Sequence, residues 1–386
     1  MIKLFRVLLL VSLSVNVQAF QLERLPSYES HRDRFNSAVS ELKDYNVEKF
    51  NWSINNKADI RLDQNLSTEV ALVTNKKVKP EKILVLSSGI HGVESYVGSS
   101  VQIAFIKNYL QKSQGNFDFA FIHILNPWGM KNNRRVNIDN VDLNRNFLAN
   151  SSEFQKKNES YEKIDPFLNP QTQLQLHFAH QFIFILDSLY YIMRYSMESL
   201  RQGILQGQYQ RAQGIYYGGS VNDLLKNNID QFYGEKLSGY KEIFWIDLHT
   251  GYGERGHLHL LSNEANDENA RRLQRFLPGR HIDFGQNKKF YKTTGDMISY
   301  LSGQIKSTHF AGVAFEYGTM DSQRPLGSIE SLRRMVVENQ SYQFNREAEN
   351  RKDVEKLFLD MYNPDDEDWW MSISLQTQEL FDQILK

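Results

Sequence analysis

Residues 83–94 read ILVLSSGIHGVE, from Ile83 to Glu94. Four apolar residues bounded by Ser87, Ser88 and Gly89 predict a buried strand running into a tight turn. Apolar positions at Val97, Val101, Phe105 and Ile106 predict a helix after it. The turn between strand and helix carries His91 and Glu94. A histidine and a glutamate three apart at the end of a buried strand can point into one crevice, as two ligands of a catalytic zinc do. A local alternative is simpler: His91 caps a loop, and Glu94 sits in a first helical turn, where a carboxylate is favoured.

Two further stretches end in the same way. Ile243–Leu248 (IFWIDL) has a buried-strand pattern and terminates in His249-Thr250-Gly251. Ala311–Glu316 (AGVAFE) ends on a carboxylate, followed by Tyr317-Gly318-Thr319. Glu316 is placed to act as a general base, or simply to pair with a nearby arginine. His257 and His259 alternate with Leu258, Leu260 and Leu261 and compete with His249 as ligands. The strand-to-loop junction favours His249. Phe117–Leu125 (FDFAFIHIL) is a further strand, so strand, helix and strand predict a parallel βαβ unit. His123 within it reads as packed or hydrogen-bonded rather than as a ligand. Asn132–Phe147 (NNRRVNIDNVDLNRNF) then reads as a long polar loop with little to bury. A loop just after a buried α/β strand is where ligand contacts sit. Its arginines carry the planar fork that suits a carboxylate or an oxyanion.

The chain has 386 residues, 41% apolar and 24% charged, with a net charge of −1. That balance offers no electrostatic case for nucleic acid or an anionic membrane surface. Lys3 and Arg6, the apolar run Val7–Val15 and the small residues around Ala19 form the pattern of a secretory signal peptide. Residues 1–19 are therefore expected to be removed, leaving a protein exported to the periplasm or beyond the cell, with no stable membrane association. Cysteine is absent, so any metal site must use His, Asp and Glu, which argues against a structural thiolate zinc site and leaves a catalytic one open.

The remaining segments are read more coarsely. A helix is expected near Arg32–Val47 and one or two strands in Ile60–Thr74. Leu174–Gly203 reads as helical, with Phe178, Phe182, Ile185, Leu189, Ile192 and Met193 on it. His177, His180 and Asp187 interrupt it and argue against a membrane span. His177 and His180 share a face and read as a polar helix end. The tyrosines of Gly207–Gly219 either line a pocket or pack. Gly327–Lys386 is largely helical, with Trp369 and Trp370 as packing anchors. The expected organisation is one domain, residues 20–386, with a helical insertion at about 151–239. Its expected architecture is three-layer α/β/α with a mixed, mostly parallel central sheet, and the site should lie at the carboxyl ends of the parallel strands.

Side by side, the strand ends offer His91, Glu94, His249 and Glu316, with Arg135, Asn144 and Arg145 on a loop between them. Two histidines and one glutamate leave a position on a tetrahedral zinc for water. A further carboxylate can move the water proton to a leaving amine, and an arginine can stabilise an oxyanion.

HGVE, RVNIDNVDLNRNF, DLHTG and FEYGT, in that order, resemble the zinc carboxypeptidase superfamily, and the GQYQRAQGIYYGG and FEYGT segments resemble its uncharacterised bacterial DUF2817 branch. The resemblance covers roughly residues 83–319. It implies one Zn2+ per chain on His91, Glu94 and His249, Glu316 as general base and Arg135 rather than Arg134 as the oxyanion partner. It also implies that Asn144 and Arg145 hold a substrate carboxylate and that Asp142 orients a zinc-bound histidine, His91. The activity implied is that of an exported metallocarboxypeptidase-like hydrolase acting on a peptide. An aspartoacylase-type deacylase of N-acyl amino acids and a non-catalytic binding protein on the same scaffold are the alternatives. Two departures stand out. A long insertion separates the halves of the site, and the family's substrate-capping tyrosine has no clear counterpart, Tyr291 and Tyr300 being the candidates.

Overall fold

The strand beginning at Lys82 is buried on both of its faces, and the molecule is layered around it. In the computed structural model of the chain, the described residues are 20–54, 65–110, 115–172, 178–262, 267–284, 293–305, 309–344 and 351–386. The expected signal segment at 1–19, His177 and Tyr291 lie outside them, as does the side chain of His180.

Eight strands form one sheet: β1 (Tyr45–Ser53), β2 (Ser67–Asn75), β3 (Lys82–Ser88), β4 (Asp118–Ile122), β5 (Glu242–Gly251), β6 (Leu258–Ser262), β7 (Asp283–Phe284) and β8 (His309–Gly318). Their order is β1-β2-β4-β3-β5-β8-β6-β7. The centre, β4-β3-β5-β8, is parallel throughout, while β1, β2 and β6 join antiparallel. The sheet is thus mixed and mostly parallel.

Side chains on a strand alternate between faces, and β3 shows the consequence. Leu84 and Leu86 join a cluster with Val101, Phe105, Ile373 and Phe381. Ile83 and Val85 join another with Ile229, Phe232, Met297 and Leu301. Helices therefore cover both faces, the α/β/α arrangement, and an apolar run without alternation is what such a strand requires. The chain leaves β3 for β4 on one side and later returns to β5 on the other. That reversal opens a crevice beyond the carboxyl ends of β3 and β5.

The first helix differs from expectation. It spans Tyr28–Ser40, and Tyr45–Val47, expected within it, belongs to β1. Ser27 and Ser30 form a reciprocal capping box that starts the helix early. Pairing of Tyr45 with Asn75 and Val47 with Val73 then claims the following residues for the sheet edge.

Between residues 151 and 239 the described chain is helix, turn and one isolated bridge, Gln208 to Tyr217. The helices Phe178–Tyr195 and Met197–Leu205 pack on Pro325–Phe344 and Arg351–Tyr362 in a separate cluster with Ile204, Ile329, Met335 and Met361. Phe182, Leu186 and Met193 on the first of these helices face solvent. No helix among the described residues is long and apolar enough to cross a membrane.

Candidate functional site

The turn after β3 is shaped by glycines at two points. Gly89 has φ +71°, and a Cβ there would lie 2.1 Å from Ser95 Oγ. A Cβ on Gly92 would lie 2.3 Å from the Gly129 carbonyl carbon, so only glycine lets the turn pack on the next segment. Gly92 N donates to Arg135 O at 3.1 Å and Val93 N to Arg134 O at 2.9 Å. The His-Glu turn and the arginine loop are therefore one tied unit.

His91, Glu94 and His249 meet across the crevice. One donor atom from each lies within 4.8 Å of the others, and all three residues are buried. Each imidazole has a carboxylate behind it. His249 Nε2 donates to Asp247 Oδ2 at 2.7 Å, which turns Nδ1 towards Glu94 Oε2, 3.0 Å away. His91 Nε2 lies 3.3 Å from Asp142 Oδ1, and its Nδ1 faces Glu94 Oε1, also at 3.3 Å. An outer carboxylate of this kind fixes the orientation of the His249 ring and raises its basicity as a ligand. The chain continues outward, with Ser87 Oγ donating to Asp247 Oδ1 at 2.7 Å and Trp245 Nε1 to Ser87 Oγ at 2.8 Å. Two imidazoles and a carboxylate with this second layer can hold one divalent metal ion.

The charges are tightly coupled. Burial works against protonation of His249, yet Asp247 and Glu94 hold its pKa well above the ordinary 6.5. Burial, reinforced by the Arg135 guanidinium, pushes His91 well below that value. Burial and the Arg135 guanidinium thus disfavour charge on His91, while Asp247 and Glu94 favour the charged form of His249, whose proton a metal ion bound there would displace.

Glu316 stands beside His249 in register on adjacent parallel strands. Burial pushes its pKa up to about 8; His249 and Arg135 pull against this, and the Glu94 carboxylate adds to it. Its Oε2 is buried with no hydrogen-bond partner among the described residues. A buried carboxylate left with an open lone pair is costly unless something else uses it. Arg135 completes the group. Its Nη1 donates to Glu94 Oε1 at 3.0 Å, its Nε to Asp142 Oδ2 at 3.1 Å and its Nη2 to His91 Nε2 at 2.8 Å.

The loop expected to have little to bury is in fact well packed, with Arg134 at 2% exposure and Asp142 at 0%. Side-chain hydrogen bonds, rather than apolar contacts, hold it there. Arg134 is directed away from the site, pairing with Glu338 at 2.7 Å and lying 3.6 Å over the Tyr342 ring. Arg145 sends Nε and Nη2 to Leu205 O, at 3.0 and 2.8 Å, and Nη1 to Asn144 O at 2.8 Å. A guanidinium has five N–H donors, so it keeps capacity for an anion. Asn144 Oδ1 accepts from Met297 N at 2.9 Å.

Two cavities open on this group. The smaller, about 80 Å³, is bordered by Asn144, Ser262, Thr293 and Asp296. The larger, about 170 Å³, is walled by the helices of residues 164–205 and by Pro325–Phe344. Arg135, Arg145 and Glu316 border both. Tyr216 lies under Arg135 and Arg145, at 5.3 and 5.7 Å from its ring. Its φ of +55° is an outlier for an aromatic residue and a strained conformation of the kind found at functional sites.

Other candidates are placed elsewhere. His259 Nε2 accepts from Glu254 N at 3.0 Å and lies outside the donor cluster. His123 is buried, 2.6 Å from Ser99 Oγ and stacked on Phe35, as a packing histidine. Tyr300 donates to Asp230 at 2.9 Å, with its ring on Phe147, and borders neither cavity. Asp247 was missed in the sequence reading. Its signal was present: a lone charge inside IFWIDL, two residues before His249 and on the same face of the strand.

A search of curated proteins finds no match. Solved structures similar to the chain include bovine thrombin-activatable fibrinolysis inhibitor in complex with tick carboxypeptidase inhibitor, at 14% identity and TM-score 0.46, covering 83% of this chain and 96% of that one. A metallo-carboxypeptidase from Pseudomonas aeruginosa in complex with (2-guanidinoethylmercapto)succinic acid is similar at 13% identity and TM-score 0.41, covering 91% of this chain and 69% of that one. A metallo-carboxypeptidase from Burkholderia cenocepacia is similar at 10% identity and TM-score 0.41, with the same two coverages of 91% and 69%. Residues 25–376 match the family model described as a protein of unknown function, DUF2817, and the chain belongs to that family.

Proposed function

We propose that the protein is an exported zinc-dependent hydrolase that cleaves an amide or C-terminal peptide bond. The observation that carries this reading is the buried His91–Glu94–His249 cluster, with a separate, partner-free carboxylate oxygen on Glu316 in the same pocket wall. The ligands fit zinc by the chemistry of the set: two imidazoles, that of His249 turned inward by Asp247, plus one carboxylate. Zinc bound there supplies an acidified water and a Lewis acid for the substrate carbonyl.

The chain's own residues do the rest. Glu316 accepts the proton of the attacking water and delivers it to the departing nitrogen, a task suited to a group whose pKa lies near neutrality. Arg135 donates to the oxygen of the tetrahedral intermediate. Asn144 and Arg145 border the small cavity and hold the carboxylate of the leaving amino acid. Asp247 keeps the His249 imidazole in place, and Asp142 holds Arg135 beside His91. Export follows from the leader expected at residues 1–19, with its basic start and short apolar run.

The Asn144-Arg145 pair favours a substrate with a free carboxylate, which a C-terminal peptide and an N-acyl amino acid share. The test is metal content of the purified protein, followed by release of amino acids from peptides and from acylated amino acids. About one zinc per chain with turnover of either class supports the reading. A well-folded protein that takes up no zinc when it is offered sinks it.

A further inference from the structure

The two cavities that meet at Arg135, Arg145 and Glu316 differ in kind. The smaller holds His91 and His249 and is lined by Asn144, Thr293 and Asp296 together with Leu261, Ile298 and Ala314. The larger is lined by Ile164, Phe167, Ile192, Ile204, Leu332 and Met335. At about 170 Å³ it exceeds the roughly 150 Å³ of an apolar cavity known to take up benzene. Two polar residues on its far wall are partnered internally, while Ser331 Oγ has no hydrogen-bond partner among the described residues. Ser188 Oγ donates to Phe184 O at 2.7 Å, and Arg201 reaches Ser322 O at 3.4 Å. At the other end the cavity meets the unpartnered Oε2 of Glu316.

A substrate whose carbonyl lies beside Arg135 and Glu316 has two directions to extend. If its carboxylate lies towards Asn144, the amine side occupies the small cavity. The acyl side then has only the large one. We propose that the larger cavity binds a bulky apolar group on the acyl side of the scissile bond, so that the substrate is an α-amino acid acylated by an aliphatic or aromatic chain larger than acetyl. The inference rests on the hydrolase reading above. In the reaction, the water oxygen bonds to the carbonyl carbon and the C–N bond breaks with its electron pair to nitrogen. The proton held by Glu316 goes to that nitrogen, the second water proton follows it, and the products leave as a carboxylate and an ammonium group.

The test separates binding from turnover. N-acetylglycine and N-hexanoylglycine are titrated calorimetrically into the full-length, zinc-loaded Glu316→Gln protein. Four added methylenes entering an apolar cavity should tighten binding by on the order of tenfold to a hundredfold. Ile192→Trp, which fills the cavity, should erase the difference, and Leu332→Trp on the opposite wall should do the same. Equal binding of the two chains, binding of neither, or a difference that survives both substitutions overturns the proposal. The wild type is then assayed with both compounds. Chain-selective binding without turnover keeps the cavity assignment and rejects the hydrolase reading. Turnover blind to chain length rejects the cavity assignment and leaves the hydrolase reading standing.

Discussion

At the strand ends, His249 and Glu316 are neighbours because β5 and β8 pair in register, and the His249 imidazole is fixed by Asp247 at 2.7 Å. Across the pocket, Ile192, Ile204 and Leu332 stand on helices held by apolar packing. The first region is directional: hydrogen bonds and strand register leave each side chain few positions. The second is held by a force that depends on area rather than direction. The strand ends should therefore tolerate almost no change in chemistry. The helical wall should tolerate exchange of shape and answer in selectivity.

The sharpest way to break this contrast is His249→Ala. Elemental analysis should find about one zinc per chain in the wild type and none in the variant, with the circular dichroism unchanged. A variant that keeps its full metal complement would remove His249 from the ligand set. Next comes Glu316→Gln, which should keep metal and fold but lower turnover by about 10²–10⁴-fold; near-normal rates would reassign the base. Asp247→Asn acts one layer further out. Competition with a chelator should show zinc affinity reduced by about 10–100-fold, and an unchanged affinity would make the 2.7 Å contact to His249 a packing feature only.

An effect of another kind, on stability rather than on metal or turnover, is expected away from both regions. His31 packs under the helix Ser95–Asn108 with Nδ1 2.8 Å from Ser99 Oγ, and burial lowers its pKa from 6.5 to about 4, although Leu25 O and Glu23 favour the charged form. A depressed folded-state pKa contributes stability that is complete above the unfolded value and is lost as pH falls through the folded one. Between pH 6.5 and 4 this group should cost up to roughly 3 kcal/mol. Melting temperature against pH should show a shallower acid slope in His31→Gln. An identical slope would assign the acid loss to other groups.

Much of the strand-end region was legible in the sequence. Four apolar residues before SSGIHGVE announce a strand buried on both sides, and IFWIDLHTG and AGVAFEYGT repeat the sign. A strand's length and direction are written locally, so the residue at its carboxyl end can be named. The first helix was misplaced because its start depends on Ser27 and Ser30 capping each other, and its end on a strand pairing with β2. Asp247 was passed over because a charge in an apolar run reads as an exception until its partner is seen. The packing of the polar loop is not legible locally, because the hydrogen bonds that bury its arginines and aspartate connect residues distant in sequence, such as Arg134 and Glu338.

The sequence alone therefore determined the layered α/β architecture and the identity of the residues gathered at the strand ends, since both follow from periodicity and from what a buried strand must carry to its tip. The tertiary structure decided which face of each imidazole is held, that Arg145 leans on Leu205, and that an apolar cavity lies beside the cluster. Those depend on Ile164, Ile204, Leu332 and Met361, which are distant along the chain and meet only when the helices of residues 151–239 pack on the two that follow β8. No local pattern records such a meeting, because burial of apolar surface rewards any close packing and the choice among packings is made by the whole molecule.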